Sequence, residues 1–187
     1  MRTLRFIEGR KTRSRSGFTL VELLTVIAIF GIVALFGAPA IHSHLQRQGL
    51  GNAKERLRSD LQQAKLLAIK NAGFCDIDFN TPAANQYRIT LRENDLTLTR
   101  VIGVVDLADY RGSVTFTTDP GTGDPTAGQI RFNGQGLIDG PAGAAFLTNA
   151  DNADGFRRVR ASLSGAVSEH VWSAAVNAWV TSGGGWR

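Results

Sequence analysis

Side chains able to carry chemistry are few and scattered in this sequence. Histidines stand at His42, His44 and His170, and the one cysteine is Cys75. None falls in a Ser/His/Asp arrangement or at metal-ligand spacing. His42 and His44 are two residues apart, so on a helix they do not share a face, and no metal site is expected there. Gly121-Thr122-Gly123 and Gly134-Gln135-Gly136 lack the lysine and the strand–loop–helix context of a phosphate loop and read as turns. No catalytic constellation emerges, so an enzyme is not expected. The stretch Asp119–Asp124 offers the oxygen ligands that calcium favours. It has no EF-hand pattern, so a plain turn is the first reading and calcium the alternative. Apart from that ion no cofactor is expected. A single thiol cannot close an internal disulfide, and Cys75, beside Phe74, reads as a small buried side chain at the start of a strand.

Two sets of charged residues remain. Arg157, Arg158 and Arg160 crowd one short stretch. On a strand Arg158 and Arg160 share a face, while Arg157 joins Val159 on the other. Such arginines can contact phosphates, weakly and with strong salt dependence. The competing reading is a solvated strand face paired with Glu169, Asp151 or Asp154. Charge bookkeeping favours the second. Residues 1–17 hold Arg2, Arg5, Arg10, Lys11, Arg13 and Arg15 against Glu8, and they account for the whole net charge of +5. The remainder is formally neutral, so nucleic acid is not the favoured partner.

The other charge is Glu22, alone in the run FTLVELLTVIAIFGIVALFGAPAI of residues 18–41. About 20 apolar helical residues span a bilayer core. The basic flank before residue 18 places the N-terminus in the cytoplasm and the rest outside. A secretory signal is the competing reading, with Ala38-Pro39-Ala40 as its cleavage site, but the run is too long and carries an acid. An acid in such a span needs a partner, since charge at the membrane centre costs roughly 2.5–3.5 kcal/mol on insertion scales. A cut after Gly17 would supply one, an α-amino group on Phe18, four residues before Glu22. That pair can close within one chain or between neighbours, where it would fix their axial register.

The segment Ser16-Gly17-Phe18-Thr19-Leu20-Val21-Glu22-Leu23-Leu24 resembles the leader junction of type IV pilins and type II secretion pseudopilins. The resemblance implies that a prepilin peptidase cuts after Gly17 and methylates Phe18. It also implies that Glu22 pairs with the N-terminal amine of an adjacent subunit. The implied partners are other pilins or pseudopilins, the peptidase and an inner-membrane assembly platform. Gly31 and Pro39 weaken a helix by about 1 and about 3 kcal/mol. In the family, helices lose structure between such positions within a filament.

These residues need elements to position them. Four parts are expected: a cleaved basic leader at 1–17, a transmembrane and assembly helix at 18–41, an amphipathic helix at 42–72 and a β-rich periplasmic head at 73–187. Leu50, Ala53, Leu57, Leu61, Ala64 and Ala68 recur at gaps of three and four, one helical stripe suited to packing on a sheet. Arg56, Arg58, Asp60, Gln62 and Lys65 lie largely off it. Asn71-Ala72-Gly73 closes the helix. Short alternating runs follow, with strands expected at 74–79, 86–92, 96–104, 112–117, 128–133, 144–148, 156–163 and 166–172. The fold class is α+β, a long N-terminal helix packed on an antiparallel sheet. The helix with QQAKLLAIKN, the strand with Cys75 and the FRRVRASLSGAV hairpin are similar to the GspH/FimT group of minor pilins and pseudopilins. That group implies a structural subunit of a secretion pseudopilus or type IV pilus in the bacterial inner membrane, single-pass, or, as the alternative, a DNA-binding minor pilin. The tail departs from the pattern: no basic pair follows Gly165, and VNAWVTSGGGWR adds two tryptophans and a glycine run.

Overall fold

The computed structural model describes residues 18–93, 99–150 and 155–181, and of residues 34–47 the backbone only. The chain divides into two compact units, Met1–Ile41 and His42–Arg187. Helix α1 runs Leu20–Lys70. The strands are β1 (Phe74–Phe79), β2 (Gln86–Arg92), β3 (Thr99–Asp106), β4 (Thr115–Thr117), β5 (Gln129–Phe132), β6 (Gly143–Thr148), β7 (Arg157–Ala161), β8 (Val167–Ser173) and β9 (Ala178–Thr181), with a 3-10 turn at Leu107–Asp109.

Within the second unit the helical stripe is buried as its spacing requires. Leu50, Ala53, Leu57, Leu61, Ala64 and Ala68 have no solvent exposure. They share one core with Cys75, Ile77, Phe79, Tyr87, Ile89 and Leu91 of β1 and β2, and with Ala145, Leu147, Val159 and Ala161 of β6 and β7. The strands divide between two sheets, β3-β2-β1-β5 and β4-β6-β7-β8-β9. Every strand pairing is antiparallel. The α+β architecture of helix and antiparallel strands is therefore present, with the sheet in two parts.

The helix stops at Lys70, two residues before the expected end, through a paired cap. Ala72 N–H donates to Ile69 O (3.2 Å) and Gly73 N–H to Ala68 O (3.1 Å), with Ala72 at φ 47°. This is a Schellman closure. Alanine takes the left-handed position, and glycine is needed at the next one: a Cβ on Gly73 would lie 2.3 Å from Arg92 O. The Ser164-Gly165 turn has a stricter need. Gly165 has φ +70°, and a Cβ there would lie 1.9 Å from Gly136 O.

Strand ends shift where local chemistry intervenes. The expected 112–117 strand begins only at Thr115, because Gly112 and Ser113 turn through positive φ. The expected 96–104 strand is β3, Thr99–Asp106, with a register shift opposite Ile89/Thr90. The last strand, β9, has no counterpart among the expected ones. Its VNAWVT run ends in a glycine tail, but Trp179 pairs with Trp172 across the hairpin.

Asp60 corrects the expected polar face of the helix. It is 2% exposed. Its Oδ2 accepts from the Tyr87 hydroxyl (2.7 Å) and from Arg56 Nε (3.0 Å). A buried carboxylate is tolerated when donors meet it, and β2 supplies the donor that helical spacing alone does not show.

Candidate assembly and surface sites

The N-terminal end of α1 is capped locally. Thr19 Oγ1 accepts the Glu22 N–H (3.2 Å), and Thr19 O accepts the Leu23 N–H (3.2 Å). Threonine fills an N-cap well because its hydroxyl replaces a missing helical acceptor. Glu22 lies in the first turn, where the helix dipole favours negative charge. This local reason for an acid complements the one drawn from the apolar span. Thr25 Oγ1 donates back to Val21 O (3.1 Å) and Glu22 O (2.9 Å), tying its hydroxyl into the turn.

Around that turn the apolar side chains stand in the open. Phe18 is 81% exposed, and Leu20, Val21, Leu23, Leu24, Ile27, Ile29, Phe30, Ile32 and Val33 are also exposed. Among the described residues the Glu22 carboxylate has no hydrogen-bond or ion-pair partner. A Cβ on Gly31 would meet nothing within 4 Å, so no described neighbour demands glycine there. Pro39 lies within the α1 bounds, and Gly17 lies outside the described residues. Among the described residues no helix is long and apolar enough to cross a membrane.

The second candidate is the outer face of the β4-β6-β7-β8-β9 sheet. Val159 and Ala161 point into the core, so Arg158 and Arg160 face outward, as the alternation predicts. Arg158 lies across from His170, and Arg160 across from Ser168. The Arg158 guanidinium sits 4.7 Å from the centre of the Trp179 ring. Trp179 also stacks against Phe146 (5.7 Å) and edge-on to Trp172 (5.3 Å). One of the two tail tryptophans is thus the lid of a small aromatic cluster. Partial burial lowers the Arg158 pKa, with Asp119 opposing that shift and Arg160 adding to it.

Glu169, a candidate partner for these arginines by sequence, points the other way. It receives Arg58 Nη1 (2.7 Å) and pairs with Lys54, both on α1. The alternation of β8 puts it opposite Val159 on the helix side. Asp151 and Asp154 lie outside the described residues.

The Asp119–Asp124 loop is closed on itself. Asp119 Oδ1 accepts from Gly121 N–H (2.8 Å) and Thr122 N–H (3.3 Å), and Oδ2 accepts from Trp179 Nε1 (2.9 Å). Asp124 Oδ2 accepts from Thr122 Oγ1 (2.7 Å). Asp119 therefore spends both oxygens on N–H donors, as an Asx-turn residue does. Cys75 is buried in the core, and desolvation followed by the neighbouring Asp76 pushes its thiol up to about 12. It stays protonated and inert at neutral pH.

Residues 12–38 match the model of the prokaryotic N-terminal methylation motif. Residues 53–165, more than half of the chain, match the model described as type II transport protein GspH. The chain belongs to the GspH family. It is a pilin-like chain whose methylation motif, residues 12–38, runs into the first part of α1. The Pseudomonas aeruginosa type IV minor pilin FimU is similar in structure, at 16% identity and TM-score 0.47, over 64% of this chain and 91% of that one. The Escherichia coli GspH solution structure is similar at 15% identity and TM-score 0.46, over 68% of this chain and 91% of that one.

Proposed function

We propose that this GspH-family chain is a minor structural subunit of a type II secretion pseudopilus or type IV pilus, without a catalytic role of its own. A prepilin peptidase cuts after Gly17, and Phe18 becomes the methylated N-terminus. Residues 18–41 anchor the chain in the bacterial inner membrane, N-terminus cytoplasmic and head periplasmic. The anchor then passes into a fibre of other pilins or pseudopilins through the assembly platform.

One observation carries this reading. The helix presents continuous exposed apolar side chains from Phe18 to Val33, and Glu22 stands among them without a partner among the described residues. Such side chains need a cover, and an acid among them needs a cation. A bundle of like helices supplies both. The Phe18 amine of a neighbour is the matching charge, and its four-residue offset from Glu22 sets the register between subunits.

N-terminal mass spectrometry of the membrane-bound chain tests the processing. The expected mature chain begins at methylated Phe18, and any other start contradicts the reading. Replacing Glu22 tests the pairing. Glu22→Leu should insert in the membrane and remain out of the sheared fibre fraction. Normal incorporation of that variant removes the role of Glu22 in assembly.

A further inference from the structure

The outer face of the β4-β6-β7-β8-β9 sheet holds cationic donors that no described residue of the chain uses. Arg158 is half-buried under Trp179, and its Nε is out of solvent with no hydrogen-bond partner. Asp119, whose charge acts on it, has both oxygens engaged by the Gly121, Thr122 and Trp179 N–H groups. Arg160 is exposed and makes no ion pair or hydrogen bond among the described residues. Nδ1 of His170, directly across from Arg158, is likewise buried without a partner. Ser168, across from Arg160, adds an exposed hydroxyl.

Arg58, Arg88 and Arg92 elsewhere in the head also bury an Nε, but each of those guanidiniums pairs with a carboxylate. Asp60, Asp76, Asp78 and Glu169 are each met by a cation. A half-buried guanidinium without an acceptor is costly. The Trp179 face offsets part of that cost, since a cation over a tryptophan ring gains about 0.5–2 kcal/mol. It satisfies none of the N–H donors; with Nε closed to solvent, the two Nη groups are those left for a partner.

We propose that Arg158, Arg160, His170 and Ser168 form a docking strip for an extended acidic segment of a neighbouring protein subunit. Arg158 and Arg160 are alternate residues of one strand, so their Cα atoms lie about 7 Å apart. Carboxylates at alternate positions of an extended segment repeat at that same spacing. Each guanidinium donates to a carboxylate in bidentate fashion, the Ser168 hydroxyl adds a donor, and Trp179 shields the first pair from water. Arginine and tryptophan together are the residue types that dominate protein–protein binding energy. A polyphosphate fits less well. The chain after residue 17 is formally neutral, and two cations release few counterions. That the acidic segment belongs to a fibre subunit rests on the assembly reading above.

Titration of the detergent-solubilised full chain tests this, read by tryptophan fluorescence. The probe is a blocked pentapeptide of alternating glutamate and threonine. Controls are its glutamine counterpart and a single-stranded oligonucleotide. Saturable binding of the acidic peptide is expected. It should weaken about tenfold or more, the factor equivalent to 1.4 kcal/mol, in the glutamine peptide and in Arg158→Gln/Arg160→Gln. Arg160→Gln alone changes an exposed side chain and leaves the fold intact, so it decides the matter if the double variant does not fold. It should weaken the peptide about threefold or more, because it removes one charge-assisted hydrogen-bonding group. Absence of saturable binding, equal binding of the glutamine peptide, or unchanged binding by the variants overturns the proposal. Tighter binding of the oligonucleotide than of the peptide at about 0.15 M salt overturns it in favour of a phosphate surface. Neither result touches the assembly reading, which stands or falls on the Phe18 terminus and on Glu22.

Discussion

Glu22 and Asp76 each stand in a run of apolar residues, LVELL and FCDIDF. Asp76 is fully buried and lies between two arginines. Arg131 donates to it through Nε (2.7 Å) and Nη2 (3.4 Å), and Arg92 pairs with its Oδ2 at 2.7 Å. Glu22 is exposed, and its neighbours Phe18 to Val33 are exposed with it. The difference separates two uses of the same side-chain chemistry. In the head, strand pairing brings the cations from β2 and β5 onto β1, so the acid is completed within the chain. In the first unit no described residue completes it. An acid of the first kind is completed inside the fold; an acid of the second kind is left for the neighbour that the proposed assembly would bring.

The contrast breaks if either acid does the other's work. Asp76→Ala removes the centre of a partly buried ion network and leaves two half-exposed arginines. Losing one side of a buried pair costs about 3–5 kcal/mol. The lower end is expected here because Arg92 and Arg131 keep access to water. Urea unfolding of the full chain in detergent, followed by tryptophan emission, measures it. Glu22→Leu should leave that midpoint within about 0.5 kcal/mol of the parent while abolishing entry to the fibre. A Glu22 variant that destabilises the head as strongly as Asp76→Ala would collapse the distinction.

Much of this division is legible in the sequence. Glu22 stands out because a lone charge in a long apolar run has few explanations, and the match of residues 12–38 to the N-terminal methylation motif falls on the stretch around it. The stripe from Leu50 to Ala68 is legible because helical spacing maps directly onto burial. Seven of the eight expected strand regions keep close to their places, while 112–117 shortens to the three residues of β4. Tertiary partners are not legible. Asp60 looks like a surface residue by its spacing, and only Tyr87, on a strand far along the chain, makes it internal. Glu169 follows soon after three arginines in the sequence, yet strand alternation turns it to Lys54 and Arg58 on the helix. Trp179 hides in a short run before a glycine tail. Its role depends on Arg158 and Asp119, which the fold alone brings near it.

Tyr87 sharpens the same comparison at a smaller scale. Its hydroxyl has no exposure and donates to Asp60, while burial and then that hydrogen bond push its pKa up. Tyr87→Phe keeps the ring and its packing on Phe79 and Phe116. It removes one donor from a buried carboxylate, which costs about 1–3 kcal/mol. Arg56 remains on Asp60 Oδ2, so the loss should fall below that of Asp76→Ala in the same urea experiment. A loss equal to or above it would mean that the Arg56 pair contributes nothing and that the hydroxyl alone sustains the acid.

His170 carries the smallest effect, and it tests whether the outer strip is a set of uncompensated cations. Its pKa is lowered by partial burial first and then by Arg158 and Arg160, with Glu169 acting against them. A depressed folded pKa means that the unfolded chain takes up the proton first as pH falls. The contribution of His170 to stability is therefore complete above the unfolded value near 6.5, and is lost as the pH drops through 6.5 toward the lower folded value. The urea midpoint of the parent should decline across that window, and His170→Gln should flatten the decline there while leaving the steeper carboxylate loss at lower pH. Saturating the strip with the acidic peptide should act in the same direction, because bound carboxylates offset the repulsion from the two arginines. An identical decline in parent and His170→Gln would mean that neither burial nor Arg158 and Arg160 depress the imidazole. The strip would then have lost the uncompensated charge that sets it apart from the paired acids of the head.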